Sequence, residues 1–117
     1  MQRVIDLAGC YNFRDLGGYP TVDGRRVRWQ QLYRSDALHL LTPADVARLC
    51  RELRIGDVVD LRSSAELRTD GRGLLGREPV RFHHLPLFDG AVRADADQRA
   101  AAYTLADRYV LLAEFAR

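Results

Sequence analysis

Lysine is missing from this chain: every one of its 18 basic residues is arginine. GC-rich coding produces that bias, and arginine's planar fork also suits phosphate and nucleic acid. A nucleic-acid surface needs a basic stripe or patch. Here sixteen acidic residues leave a net charge of only +2, and the arginines are scattered, so no nucleic-acid partner is expected. Cysteine is scarce as well. Cys10 and Cys50 lie far apart and fit no metal or redox spacing. His83 and His84 are adjacent, so on a strand they face opposite sides, and His39 belongs to another segment. The sequence therefore offers no metal site and no cofactor motif. Nothing has the apolar length of a membrane span. The opening MQRVIDLAGCYNFRD lacks a basic segment followed by an apolar core, which reads as a soluble, cytoplasmic protein unless export follows a non-classical route. Repeats and low-complexity linkers are absent too. At 47% hydrophobic over 117 residues, positions 1–117 read as a single domain or a piece of one, long enough to bury a core.

What is present has an α/β rhythm. In GYPTVDGRRVRW, residues 18–29, Asp23-Gly24 stands between two strand-like runs and predicts a hairpin. Gln31 to Ser35 reads as a short strand. Thr42 then caps a helix, with Pro43 in its first position and Asp45 in its first turn. Val46, Leu49, Cys50 and Leu53 form one apolar stripe, which makes Cys50 a core residue rather than a nucleophile. Gly56 is expected to end that helix. Ile55–Leu61 reads as a strand, and Ser63-x-x-Glu66 as a capping box that starts a short helix. Val80–Leu87 suggests another strand. Ala94 to Phe115 suggests a longer helix with Leu105, Ala106, Tyr109, Val110 and Ala113 on its apolar face. The expected architecture is α/β: a mainly parallel sheet with flanking helices and an N-terminal β-hairpin, incomplete at its C-terminal end.

Asp60 and Arg62 occupy the carboxyl end of the Ile55–Leu61 strand. Open α/β sheets bind ligands beyond the carboxyl ends of their strands. A local ion pair or turn-stabilising carboxylate explains the same residues without function.

Several blocks bear on that choice. NFRDLGGY (12–19), Gly24-Arg25, LYRS (32–35), Leu38, Leu41-Thr42, LRIGDVVDLRS (53–63) and Glu66 resemble, in order and spacing, the bacterial tyrosine-phosphatase-like family with its dual-specificity and lipid phosphatases. The resemblance is strong over about residues 5–67 and looser beyond, and several blocks in register are far more specific than one motif. It implies a cysteine-dependent phosphatase fold and phosphorylated protein or lipid substrates. The family's chemistry sits in a His-Cys-x-x-Gly-Lys-Asp-Arg-Thr loop. There a thiolate attacks phosphorus while backbone N–H groups and an arginine hold the phosphate oxygens, and a nearby acid protonates the leaving alkoxide.

No such loop occurs in this sequence. Six positions after Cys10 stands Leu16, and six after Cys50 stands Gly56, so neither begins Cys-x5-Arg. The chain therefore reads as the N-terminal portion of such an enzyme without its nucleophile. By the resemblance, Asp60 is the candidate catalytic carboxylate, either orienting the loop's arginine or assisting proton transfer. Arg62 would contribute positive potential for an anionic substrate. Arg14 and Asp15 read as supports of the loop, with a structural ion pair as the alternative, and Arg34 is a further candidate binding residue. Two other readings remain: a non-catalytic module that binds phosphate or a protein partner, and a domain that self-associates through an uncovered sheet edge.

Overall fold

The computed structural model describes residues 1–87 and the backbone of residues 110–113. Its described elements run β1 (Arg14–Asp15), β2 (Leu32–Ser35), α1 (Pro43–Ala47), a π-helical turn (Arg48–Glu52), β3 (Asp57–Asp60), α2 (Ser64–Asp70), a 3-10 turn (Gly73–Arg77), β4 (Arg81–His84) and β5 (Val110–Ala113). The five strands form one sheet in the order β1-β2-β5-β3-β4.

The architecture is α/β, but the expected mainly parallel pairing is corrected. Only β3 and β4 pair in parallel, whereas β1–β2, β2–β5 and β5–β3 are antiparallel. The cause is β5. Val110–Ala113, expected inside a long helix, is instead a strand inserted between β2 and β3. The rest of that expected helix lies outside the described residues. Because β5 opposes both neighbours, β2, β3 and β4 still run in one direction, and their carboxyl ends share one end of the sheet.

Local chemistry explains the elements that position this end. Thr42 accepts the Asp45 N–H, and Asp45 returns a carboxylate to the Thr42 N–H, closing the capping box ahead of Pro43. Asp45 also accepts the N–H groups of Ala8 and Gly9 at 3.0 and 2.8 Å, which fastens the N-terminal segment to the helix. The chain leaves this helical segment at Arg54, which takes a left-handed φ of 58°, and not at Gly56. The expected hairpin is present as a backbone ladder: Gly18 N–H to Val27 at 2.8 Å and Val27 N–H to Tyr19 at 2.9 Å, turning through Gly24 at φ 85°. Ser63 caps α2 by accepting the Glu66 N–H at 3.1 Å.

In-register neighbours present their side chains on the same face of a sheet. Tyr33, Val58 and Phe82 share one register row through Leu112, and Asp15 joins it opposite Tyr33. This face carries the core, where Phe13, Tyr33, Leu49, Val58 and Leu75 are almost completely sealed. The Phe13 and Tyr33 rings meet at 5.4 Å between centroids. No helix among the described residues is long and apolar enough to cross a membrane.

Candidate functional site

One step along from the core row, Ser35, Asp60 and His84 share the next row on the same face, through Val110. These are the final residues of the three co-directional strands. Asp60 and Arg62 lie here, and both are buried, at 2% and 3% exposure. Arg62 Nε donates to Asp60 Oδ1 at 2.9 Å and Nη2 donates to Oδ2 at 2.7 Å, a bidentate clamp. The Arg62 N–H adds a third contact to Oδ1 at 3.0 Å, which makes the turn out of β3 part of the same unit. Nη2 also donates to the Gly71 carbonyl at 2.9 Å, linking the strand end to the far end of α2. His84 Nε2 meets the Arg62 carbonyl at 2.8 Å.

Burial by itself pushes the Asp60 carboxyl up, but the Arg62 hydrogen bonds outweigh it and hold the group below the ordinary carboxylate range. A carboxylate with both oxygens chelated holds the guanidinium plane in place. Arg62 keeps one group in reserve, since its Nη1 is buried with no hydrogen-bond partner among the described residues.

The other predicted residues are placed differently. Asp15 shares the core face but is a brace for the hairpin, with Oδ1 accepting the Gly17 N–H and Oδ2 the Gln30 N–H, both at 2.8 Å. Arg14 and Arg34 pair directly across β1 and β2 and belong to the row of Val59 and His83, on the opposite face. The structure thus brings Asp60 and Arg62 together and leaves Arg14 and Arg34 on the other side of the sheet.

That opposite face holds a cluster absent from the sequence-based expectations. Asp57, at the start of β3, accepts Arg81 Nε and Nη2 at 2.8 Å each and contacts His83 Nε2 at 2.9 Å. Arg81, then His83, hold its carboxyl far below the usual range. A signal for half of it exists, because Arg81 and His83 are two apart on a strand and must share a face.

Neither thiol is primed for attack. Burial, followed by the neighbouring Asp36, pushes Cys10 up to about 12. Burial also raises Cys50, which lines an open cleft with Val46, Arg51, Leu74 and Arg77. A cysteine nucleophile needs the reverse, a depressed pKa beside cations or a helix N-terminus.

Comparison with known proteins gives this geometry its context. The model of a family described as the tyrosine phosphatase family matches residues 5–116. The chain belongs to the tyrosine phosphatase family. It is 39% identical over 97 residues to the triple specificity protein phosphatase PtpB of Mycobacterium tuberculosis, covering 83% of this chain and 33% of that protein. It is 40% identical over 86 residues to the Cupriavidus necator protein named "Putative tyrosine-protein phosphatase H16_A0669", covering 72% of this chain and 30% of that one. The chain therefore spans about a third of the length of these curated relatives.

Proposed function

We propose that this chain supplies the scaffold wall of a phosphate-monoester hydrolase site, as the N-terminal part of a cysteine-dependent phosphatase acting on phosphorylated protein or lipid. The observation that carries the reading is the sealed Asp60–Arg62 clamp at the shared carboxyl ends of β2, β3 and β4, in a chain that belongs to the tyrosine phosphatase family. In such a site a thiolate forms a bond to phosphorus as the bond to the leaving alkoxide breaks, and an acid returns a proton to that alkoxide. This chain's contribution is electrostatic. Asp60 fixes the guanidinium plane, and Arg62 presents positive charge and a spare N–H toward the anion. Asp15 keeps the hairpin in register, while Arg14 and Arg34 would act through the opposite face. The Cys-x5-Arg loop is absent from these residues, so the chain alone is inactive.

Turnover of an aryl phosphate tests this. The chain would be compared with a chimera in which the remainder of the Cupriavidus relative follows it. Activity in the chimera and none in the chain is the expected pair of results. An inactive chimera that is folded, or robust turnover by the chain itself, contradicts the proposal.

A second reading, a non-catalytic module that binds phosphate, is favoured by the unpartnered Arg62 Nη1. Retained phosphate affinity together with a folded but inactive chimera would select it. Self-association belongs to the same proposal. Among the described strands β4 is the outer one without a partner beyond it, since residues 3–5 pair along β1, and Leu85 and Leu87 just past β4 are exposed. Light scattering should then report a dimer, and a monodisperse monomer would rule that element out.

A further inference from the structure

A cleft of about 410 Å³ opens between the helical segment that starts at Pro43 and the 3-10 turn Gly73–Arg77. That volume is typical of small-molecule sites, and neither Asp60 nor Arg62 lines it. Val46, Ala47, Cys50 and Arg51 face it from the helical side, since residues one turn apart share a face. Leu74, Arg77 and Glu78 form the other side. Ala47, Cys50 and Leu74 are half-buried, whereas Arg51, Arg77 and Glu78 are exposed. The floor is therefore apolar and the rim charged.

The backbone departs from regular helix at this place. After Ala47, α1 gives way to the π-helical turn Arg48–Glu52, where the Leu53 N–H reaches back five residues to the Arg48 carbonyl at 2.9 Å. Such wide turns are rare and concentrate at functional sites. This one carries Cys50 and Arg51 to the cleft. The chain then leaves it through Arg54, in a left-handed conformation unfavourable for a residue other than glycine.

Charge decides the occupant. Glu52, the acid beside Arg51, is paired instead with Arg48 at 3.5 Å. Among the described residues no carboxylate lies within ion-pair distance of Arg51 or Arg77. The rim thus holds two uncommitted guanidinium groups and one carboxylate, Glu78. Both signs of charge reach the floor: after burial, Glu78 raises the Cys50 thiol and Arg51 lowers it. An aliphatic body would displace water from the apolar floor, and a planar carboxylate matches a guanidinium fork. Glu78 would repel a more highly charged phosphate group more strongly, and the two arginines would repel an amine.

We infer that the cleft between residues 46–51 and 74–78 binds a short aliphatic carboxylate, its body on the floor and its carboxylate toward Arg51 and Arg77. None of the residues of the proposed function takes part, so the two readings stand or fall separately.

The test titrates the ¹⁵N-labelled chain with sodium hexanoate, with acetate and hexylamine as controls. Saturable amide shifts at residues 46–51 and 74–78 are expected with hexanoate alone, because acetate lacks the body and hexylamine carries the opposite charge. Saturating hexanoate should also slow iodoacetamide labelling of Cys50. Arg51→Gln with Arg77→Gln should weaken hexanoate binding about tenfold or more, the scale of one hydrogen bond to a charged group. Glu78→Gln should tighten it while leaving both arginines in place. Absence of saturable shifts, equal shifts with hexylamine, or Cys50 labelling that hexanoate leaves unchanged overturns the inference. So does an affinity unaltered by the arginine pair or, should that variant unfold, by Glu78→Gln.

Discussion

Arg62 and Asp60 are two residues apart and grip each other through Nε–Oδ1 at 2.9 Å and Nη2–Oδ2 at 2.7 Å, both side chains sealed from solvent. A buried pair of this kind is costly to break from one side, because the surviving charge is left without compensation. Asp60→Asn should therefore destabilise the fold by about 3–5 kcal/mol, a large part of the roughly 5–15 kcal/mol typical of a domain. The double change Asp60→Leu with Arg62→Met should recover most of that loss. Urea denaturation checks both; a double variant as unstable as the single one would show that the pair does more than neutralise itself.

Acid should unfold the chain through the same chemistry. Arg81 and His83 depress Asp57, and Arg62 depresses Asp60 against the effect of burial. Carboxylates with lowered folded pKa values take up protons more readily when unfolded. Their stabilisation is complete above the unfolded value near about 4 and is lost as pH falls through the lower folded values. Stability measured by denaturation should be flat from neutral pH to about 5 and fall below about 4. Asp57→Asn should flatten that decline. An unchanged acid limb in this variant would remove Asp57 from the account.

Two glycines separate steric from conformational demands. Gly24 has φ 85° and nothing within 4 Å of the point a Cβ would occupy, so Gly24→Ala should cost only the left-handed penalty of about 1 kcal/mol. Gly73 has φ 63°, and there the His39 carbonyl oxygen would lie 2.3 Å from a Cβ, so Gly73→Ala adds a backbone clash and should cost about 3 kcal/mol or more. Thermal melts rank the two, and equal losses would contradict the close approach of Gly73 to His39.

Much of this is legible from local chemistry. Thr42, Pro43 and Asp45 announce a helix start because a capping box is closed by residues three apart, and Asp23-Gly24 announces its turn for the same reason. The strand-end position of Asp60 and Arg62 follows from the apolar run before them. What local patterns miss is non-local. Val110–Ala113 is a short apolar run whose spacing fits a helix face as well as a buried strand, and only its pairing with β2 and β3 decides. Arg54 takes a conformation that glycine adopts more cheaply, because the π-helical turn ends before Gly56 is reached. Asp15 stands beside Arg14 in the sequence, yet neighbours on a strand face opposite ways, so its carboxylate turns to backbone N–H groups of the hairpin. Asp57 meets Arg81 and His83 across strands, which no local pattern could join.

Thiol reactivity should follow burial. Cys10, pushed up to about 12, should stay unmodified by iodoacetamide near neutral pH while the chain is folded, and Cys50 should react slowly. Peptide mapping after timed labelling reads both. Rapid alkylation of Cys10 in the folded chain would mean its environment is not the one described.

The central claim is that this chain builds one wall of an anion site and holds no displacing sulfur. Mass spectrometry of the intact chain, acid-quenched after mixing with excess p-nitrophenyl phosphate, tests it most directly. Unmodified Cys10 and Cys50 are predicted at every quench time; a phosphorylated cysteine at either position would contradict the account.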